Sequence, residues 1–190
     1  MALTIPELIS EETYRELALL GENRLLELYR GHLQEKPAVS YQHSYVASGL
    51  VELLLLQLDR GQFRVSLGQA RLRVSSSTYY IPDVVVIPAG LERSLRLSQP
   101  LGIDAYEVPM PLVVEIWSPS TGAFDIEGKL PDYQKRGDLE IWYIHPYQRF
   151  LRAWRRQPDG SYVEATYRDG TVRAESLPNV ECDTEMLFAP

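Results

Sequence analysis

Three short apolar runs constrain the fold of this chain more than any other feature of its sequence. They cover residues 81–87, 112–117 and 139–144. Each run has the length of a β-strand, and its apolar residues do not alternate with polar ones, which is typical of strands buried on both faces. Such strands lie at the centre of a sheet that is covered on both sides. The sequence therefore predicts a mixed α/β fold with a partly parallel sheet.

Helices are predicted at three places along the chain. Ser10, followed by two glutamates, predicts an N-cap and a helix that continues to about Leu20 and ends at the next glycine. Residues 41–58 carry a wide apolar stripe and form the clearest helical pattern. A third helix is expected between residues 122 and 136, before another glycine. Residues 23–33 fit either a helix or a strand.

Two hairpins and one long loop complete the predicted order of elements. Residues 63–67 and 72–74 alternate in polarity around a Gly-Gln turn, which predicts a hairpin with an arginine face. Residues 150–156 and 162–167 predict a second hairpin around a Pro-Asp-Gly turn. Residues 88–110 are rich in proline and glycine and predict a long surface loop.

The length of 190 residues is sufficient for one self-supporting domain. We expect a single domain over residues 1–190, with an N-terminal helical part (1–60), a core (61–145) and C-terminal hairpins (146–190). The single cysteine, Cys182, excludes a disulfide framework and a cysteine-based zinc site. No signal peptide or membrane-spanning run is visible, so we expect a cytoplasmic protein without a membrane partner.

The charge of the chain is negative overall but unevenly distributed. Nineteen basic and 26 acidic residues give a net charge of −7, which argues against strong nonspecific coating of nucleic acid. Residues 60–82 and 149–156 nevertheless contain arginines and no acid. These segments are either local contacts for an anionic partner or ordinary solvated strand faces.

Two carboxylates interrupt the apolar runs and are the main candidates for chemistry. Asp83 and Glu115 lie in neighbouring predicted strands, where burial of a carboxylate is costly unless it is paired or binds a cation. Two converging carboxylates repel each other unless a metal lies between them. Asp125, Lys129 and Tyr133 follow at a spacing of four residues, so they share one face if this segment is helical. A lysine beside a metal and a phosphate stabilises developing negative charge.

Each of these residues also has a purely structural interpretation. Asp83 fits a turn or cap residue, and Glu115 fits a buried ion pair with an arginine of residues 71–73. Asp125 and Lys129 fit an exposed helical pair, and Tyr133 fits core packing. The sequence leaves these alternatives open.

An ordered series of motifs resembles a known nuclease family. Pro82-Asp83 is followed by Glu115-x-x-Ser-Pro-Ser-Thr and then by Asp125-x-x-x-Lys129-x-x-x-Tyr133. This order resembles the PD-(D/E)XK nuclease superfamily and, more closely, its Uma-two family of restriction endonucleases. The resemblance extends over most of the chain through further positions: His43, Gly137, Trp142, Leu177-Pro178 and Leu187-Phe188.

The resemblance implies a fold, an activity and a set of site residues. It implies a restriction-endonuclease-like core, a mixed β-sheet flanked by helices, with extra β-hairpins toward the C-terminus. The implied activity is hydrolysis of phosphodiester bonds in DNA by metal-activated water, with Mg²⁺ as the cofactor, Mn²⁺ as a substitute and a homodimer as the assembly. The implied residues are catalytic Asp83, Glu115 and Lys129; metal-binding Asp83, Glu115 and the Ile116 carbonyl; supporting Glu27, His43, Asp125 and Tyr133; and DNA-contacting Arg71 and Arg73.

The chain departs from the superfamily pattern at three positions, and the second and third of these also depart from the Uma-two family and keep an alternative function open. Trp117 occupies the place of the superfamily lysine, which the Uma-two pattern moves to the following helix, here to Lys129. His32 stands where the family has an acid, and Gly128 stands where it has a glutamate before the lysine. Either change could weaken catalysis while leaving the fold intact. One alternative is therefore a noncatalytic binding or interaction module with a nuclease fold. Because the site residues do not specify a substrate, a metal-dependent hydrolase of small phosphate esters is a further alternative.

Overall fold

A computed structural model describes residues 8–20 and 25–189. The helices are α1 (Glu11–Leu20), α2 (Tyr41–Gln57), α3 (Ala89–Ser98), α4 (Gly122–Phe124), α5 (Leu130–Arg136) and α6 (Thr184–Leu187), and a π-helical turn (Asp125–Lys129) joins α4 to α5. The strands are β1 (Leu26–Tyr29), β2 (His32–Glu35), β3 (Phe63–Leu67), β4 (Arg71–Ser75), β5 (Thr78–Tyr80), β6 (Val84–Pro88), β7 (Ala105–Tyr106), β8 (Leu112–Ile116), β9 (Glu140–His145), β10 (Phe150–Arg156), β11 (Tyr162–Tyr167), β12 (Thr171–Arg173) and β13 (Glu181–Asp183).

The three apolar runs form adjacent strands of a six-stranded sheet in the order β11-β10-β9-β8-β6-β3. β8 and β9 are parallel, and the other neighbours in this sheet are antiparallel. The parallel pair needs a crossover connection, which α4, the π-helical turn and α5 provide. The mixed α/β fold with a partly parallel sheet is thereby confirmed.

A second sheet has the order β2-β1-β5-β4-β7 and lies against one face of the first. Side chains of β4, β5 and α5 fill the space between the two sheets. The opposite face of the six-stranded sheet is covered by α2 and by the C-terminal segment from β12 to α6. Helix α1 packs through Tyr14 on the outer face of the second sheet. Among the residues described, no helix is long and apolar enough to cross a membrane.

The two N-terminal helices agree with the sequence prediction. The Ser10 hydroxyl accepts a hydrogen bond from the Thr13 amide at the start of α1, and Ser40 caps α2 in the same way by accepting from the His43 amide. The predicted end of the first helix at Gly21 lies outside the described residues. These caps explain why a local sequence signal is sufficient at both positions.

The ambiguous segment of residues 23–33 contains strand β1 and the start of β2, although residues 23 and 24 lie outside the described part of the chain. A tight turn joins β1 to β2 at Arg30 and Gly31, whose φ angles are 50° and 83°. The N-terminal part therefore contributes strands to the second sheet as well as helices. One of these strands carries Glu27.

The predicted hairpin of residues 63–67 and 72–74 is wrong. β3 pairs with β6 in the first sheet, whereas β4 pairs with β5 and β7 in the second. Val65 packs toward the α2 side and Leu72 packs between the sheets, so the chain changes sheet at the Gly-Gln turn. Because the apolar side chains of β3 and β4 are buried in different layers, the two strands do not pair with each other, although the turn sequence predicts a hairpin.

The predicted long loop of residues 88–110 is also wrong, because it contains α3 and β7. Leu91 and Leu95 lie one helical turn apart and pack against the layer between the sheets. Pro88 precedes this helix and Pro100 follows it, so these prolines bound the helix and do not interrupt it. The proline and glycine content of this segment predicted a loop, although the leucines between the two prolines have helical spacing.

Candidate active site

The candidate site lies at one end of the six-stranded sheet, where β6 begins and β8 ends. Val84 is paired with Val114 in an antiparallel register. Asp83 and Glu115 are the next residues toward the sheet end, so the register brings the two predicted carboxylates to the same place. Both residues are buried.

Asp83 is held by three donors from three different parts of the fold. Lys36 Nζ donates to Oδ1 at 2.7 Å, while His43 Nε2 and the Ile116 amide both contact Oδ2, at 2.9 and 2.7 Å. Burial opposes ionisation, but the charge of Lys36 and the hydrogen bond from His43 outweigh it and hold the pKa of Asp83 below its ordinary value. Asp83 is therefore a buried, ion-paired carboxylate and not a cap of its own turn.

Side chains also satisfy the backbone just before Asp83. The Ile81 amide donates to Glu27 Oε1 at 2.7 Å, and the Ile81 carbonyl accepts from Lys36 Nζ at 2.7 Å. Pro82 has no amide hydrogen, and this segment precedes the paired part of β6, so strand pairing does not satisfy these groups. Glu27 and Lys36 thus fix the Pro82-Asp83 segment in addition to contributing charge.

Glu115 is contacted by two residues of the crossover connection. Lys129 Nζ lies 3.2 Å from Glu115 Oε1, and the Tyr133 hydroxyl donates to the same oxygen at 2.6 Å. Lys129 Nζ also lies 3.1 Å from Glu27 Oε1 and 3.3 Å from Asp125 Oδ1. The Lys129 side chain is only 2% exposed. The alternatives of an arginine partner for Glu115 and of an exposed Asp125–Lys129 pair are therefore both wrong.

Gly128 is required by local packing within the crossover. A Cβ atom at this position would lie 2.5 Å from the Phe124 ring, which makes an edge contact with Tyr29 at a centroid distance of 5.0 Å. Pro131 lies in the first turn of α5, directly after the π-helical turn. Neither residue prevents Lys129 from reaching Glu115, despite the departure from the family pattern at residue 128.

The buried groups at this site form an acid cluster with an excess of negative charge. We define the acid cluster as the carboxyl groups of Glu27, Asp83, Glu115 and Asp125 with the ammonium groups of Lys36 and Lys129. If all are ionised, the four carboxylates exceed the two ammonium groups by two charges.

The pKa values within the acid cluster reflect this imbalance. Burial raises the pKa of Glu115 to about 8, although the charge of Lys129 opposes the change. Burial also raises the pKa of Asp125, again against the charge of Lys129. For Lys129 itself, burial favours the neutral form, but the surrounding carboxylates outweigh burial and raise its pKa well above the ordinary value. The acid cluster thus favours additional positive charge.

The carboxylate oxygens of the acid cluster are ligands of the type that Mg²⁺ prefers. No three His, Cys, Asp or Glu side chains in residues 8–20 and 25–189 are placed together as a ready-made metal site. Mg²⁺, however, commonly uses only one or two carboxylates and keeps several waters. Asp83 and Glu115 supply that number. Among the described residues, Asp125 forms an ion pair with Lys129 at 3.3 Å, but neither of its carboxylate oxygens has a partner with hydrogen-bond geometry. The part predicted for the Ile116 carbonyl stays a prediction.

The site opens to solvent through a cleft of about 590 Å³. Lys36, His43 and Asp83 line it, together with the loop from Pro37 to Val39. Lys36 was missed by the sequence analysis. Its rarity was the available signal, because the chain has only three lysines and two of them belong to the acid cluster.

The two arginines predicted to contact DNA are engaged within the fold. Arg71 is 8% exposed and donates through Nη1 to the Gln69 carbonyl at 3.3 Å. Arg73 forms a bidentate ion pair with Glu11, in which Nε donates to Oε1 at 2.8 Å and Nη2 donates to Oε2 at 3.0 Å. Neither presents an unpaired, exposed guanidinium group, so the structure adds no support to this prediction.

Comparison with known proteins gives one family and a fold. The family model described as "Uma2: Putative restriction endonuclease" matches residues 11–185. A crystal structure of a putative nuclease belonging to DUF820, from Anabaena variabilis ATCC 29413, superposes with a TM-score of 0.70. It shares 18% sequence identity, and the match covers 86% of this chain and 89% of that chain. No curated protein matches. At this identity, the structural likeness establishes the fold alone.

Proposed function

The chain belongs to the Uma2 family, and from that premise we propose that it is a metal-dependent endonuclease that hydrolyses phosphodiester bonds in DNA. The observation that carries the proposal is the acid cluster, in which four buried carboxyl groups outnumber two ammonium groups and Asp83 lines an open cleft. A divalent cation balances the excess negative charge that arises when all four carboxyl groups ionise. The phosphate of a nucleic acid is the substrate group that such a cation binds.

In the proposed reaction, a water oxygen bonds to phosphorus and one phosphorus–oxygen ester bond breaks. The products are a phosphate monoester and an alcohol: one proton of the water goes to the leaving oxygen, and the other passes to solvent. Mg²⁺, or Mn²⁺ in its place, would be held by Asp83 and Glu115 and would supply charge stabilisation and a lower pKa for the attacking water. The proposal includes a homodimer, because a symmetric assembly of two copies can cleave both strands of DNA.

The protein residues orient the two carboxylates. His43 and the Ile116 amide fix Oδ2 of Asp83, so the position of this carboxylate does not depend on a metal. Tyr133 and Lys129 do the same for Oε1 of Glu115. Such fixed positions reduce the reorganisation needed during the reaction.

The second candidate function is a noncatalytic module with the nuclease fold. It is favoured by one observation: a lysine already lies within hydrogen-bond distance of each of the two carboxylates. If these ion pairs are permanent, they stabilise the fold and leave no role for a metal. This candidate requires the absence of cation-dependent cleavage.

Cleavage of supercoiled plasmid separates the two candidates. The parent is compared with Glu115→Gln, which keeps the size of the side chain, and with Glu16→Gln, which alters an exposed acid on α1. We expect Mg²⁺- or Mn²⁺-dependent nicking by the parent and the control, and a loss of about a hundredfold or more in Glu115→Gln. Equal cleavage by Glu115→Gln contradicts the proposed mechanism, and no cleavage by the folded parent favours the noncatalytic module.

A further inference from the structure

The two lysines of the acid cluster differ in their access to solvent. The Lys36 side chain is 10% exposed and lines the open cleft. The Lys129 side chain is 2% exposed and lies among three carboxylates, those of Glu27, Glu115 and Asp125. An ammonium group surrounded in this way is a fixed counter-ion. Of these two lysines, Lys36 is the one placed to meet a substrate in the cleft.

Lys36 also occupies the one oxygen of Asp83 that a cation can use. A carboxylate oxygen has two lone pairs, and both lone pairs of Oδ2 are taken by His43 and the Ile116 amide. Among residues 8–20 and 25–189, Oδ1 accepts only from Lys36 Nζ, at 2.7 Å. A cation that binds Asp83 through Oδ1 therefore competes with the ammonium group for the same oxygen.

The other bond of Lys36 does not prevent its release. Nζ donates to the Ile81 carbonyl at 2.7 Å, and the Lys36 side chain that makes this contact lines the cleft. Water can replace a donor to a carbonyl at such a site. The lysine side chain has a flexible four-carbon stem, so its ammonium group can move without movement of the backbone.

We propose that a divalent cation displaces Lys36 from Asp83, and that the released ammonium group then contacts the phosphate of the substrate. Lys36 thus takes the part that the motif resemblance implied for Lys129, and Lys129 holds Glu115, Glu27 and Asp125 together. The contact with phosphate rests on the proposed nuclease function, whereas the displacement by a cation does not.

Displacement is tested with metal alone and without DNA. Mg²⁺ and Mn²⁺ are titrated into the parent, Lys36→Met, Lys36→Arg and the control Lys135→Met, which changes the exposed third lysine. Each variant's metal-induced rise in Tm is measured against its own metal-free value. Lys36→Met removes the hydrogen bond between Lys36 and Asp83 that a cation otherwise has to break. From the usual strength of a hydrogen bond to a charged group, we expect metal affinity to rise about ten- to a hundredfold in this variant. Lys36→Arg and Lys135→Met are expected to bind no more tightly than the parent.

Nuclear magnetic resonance separates displacement from a simple change in net charge. Labelling with ¹⁵N-lysine gives three side-chain resonances, which the Lys→Arg variants assign. On saturation with Mg²⁺, we expect the Lys36 Nζ resonance to move and its protons to exchange faster with water. The Lys129 resonance is expected to keep its slow exchange. An unchanged Lys36 resonance at saturating Mg²⁺, or unaltered metal affinity in Lys36→Met, overturns the displacement.

Cleavage at saturating Mg²⁺ tests the phosphate contact. We expect the rate for Lys36→Met to fall about a hundredfold despite tighter metal binding, and Lys36→Arg to recover part of it because it keeps the charge. A structural role in apo stability alone does not produce opposite changes in metal affinity and rate. Full activity of Lys36→Met overturns the contact while the nuclease function stands. If the parent cleaves no DNA, the proposed contact between Lys36 and phosphate is refuted together with the proposed function. The metal titration then still tests whether a cation displaces Lys36 from Asp83.

Discussion

The pH dependence of stability gives a direct test of the charge imbalance in the acid cluster. Burial raises the pKa of Glu115 to about 8, whereas an unfolded glutamate titrates near its ordinary value of 4.5. Between these two values, the folded protein holds a proton that the unfolded chain has released. The stabilising contribution of this proton is complete below the unfolded pKa and is lost as pH rises through the folded one.

The size of the effect follows from linkage. One extra proton bound by the folded state changes the free energy of unfolding by at most about 1.4 kcal/mol per pH unit. The charge of Lys129 opposes the shift, so this slope is an upper bound. The metal-free parent is therefore expected to lose stability from pH 5 to 8 because of this residue.

Urea unfolding at pH 5, 6, 7, 8 and 9, with a chelator present, measures the effect. Other groups also titrate, so the quantity of interest is the difference between the parent and Glu115→Gln, which lacks the titrating group. We expect the parent to become less stable relative to Glu115→Gln up to pH 8 and the difference to level off above it. A difference that is flat from pH 5 to 8 refutes the reasoning.

Three further substitutions test the packing and the ion pairs around the site. Gly128→Ala places a methyl group against the Phe124 ring and is expected to cost about 1–3 kcal/mol of unfolding free energy, whereas Gly90→Ala has open space and should be neutral or stabilising in urea unfolding. Lys129→Met leaves three carboxylates without their counter-ion and is expected to lower stability by about 3–5 kcal/mol at pH 8, a loss that calorimetry can measure. Tyr133→Phe removes one hydrogen bond to a buried carboxylate and is expected to cost about 1–3 kcal/mol in the same assay, so an unchanged Tm contradicts the described contact.

Local sequence signals were sufficient for the centre of the fold and for three carboxylates of the acid cluster, whereas Glu27 was indicated only by the family resemblance. The runs that became β6, β8 and β9 are apolar on both faces, which only a covered central strand explains. Asp83 and Glu115 were conspicuous because each is a single acid within such a run. The spacing of Asp125, Lys129 and Tyr133 was also informative, because one turn of helix separates successive residues.

Features that depend on distant partners could not be predicted in the same way. The alternation of residues 63–67 and 72–74 correctly indicated strands but contained no information on which strands they pair with. Lys36 follows a short exposed strand, and its partner Asp83 lies 47 residues further along the chain. No periodic pattern connects the two. Only the fold shows that the lysine facing the cleft is Lys36.

The central claim is that Asp83 and Glu115 together hold a divalent cation that the proposed function requires. The most direct measurement is the Tm of the parent, Asp83→Asn and Glu115→Gln during titration with Mg²⁺ and Mn²⁺, with and without a DNA oligonucleotide. A ligand that binds only the folded state raises Tm by mass action. We expect a saturable rise in the parent that both variants lose. An equal rise in either variant, or no rise in the parent even with DNA present, contradicts the account.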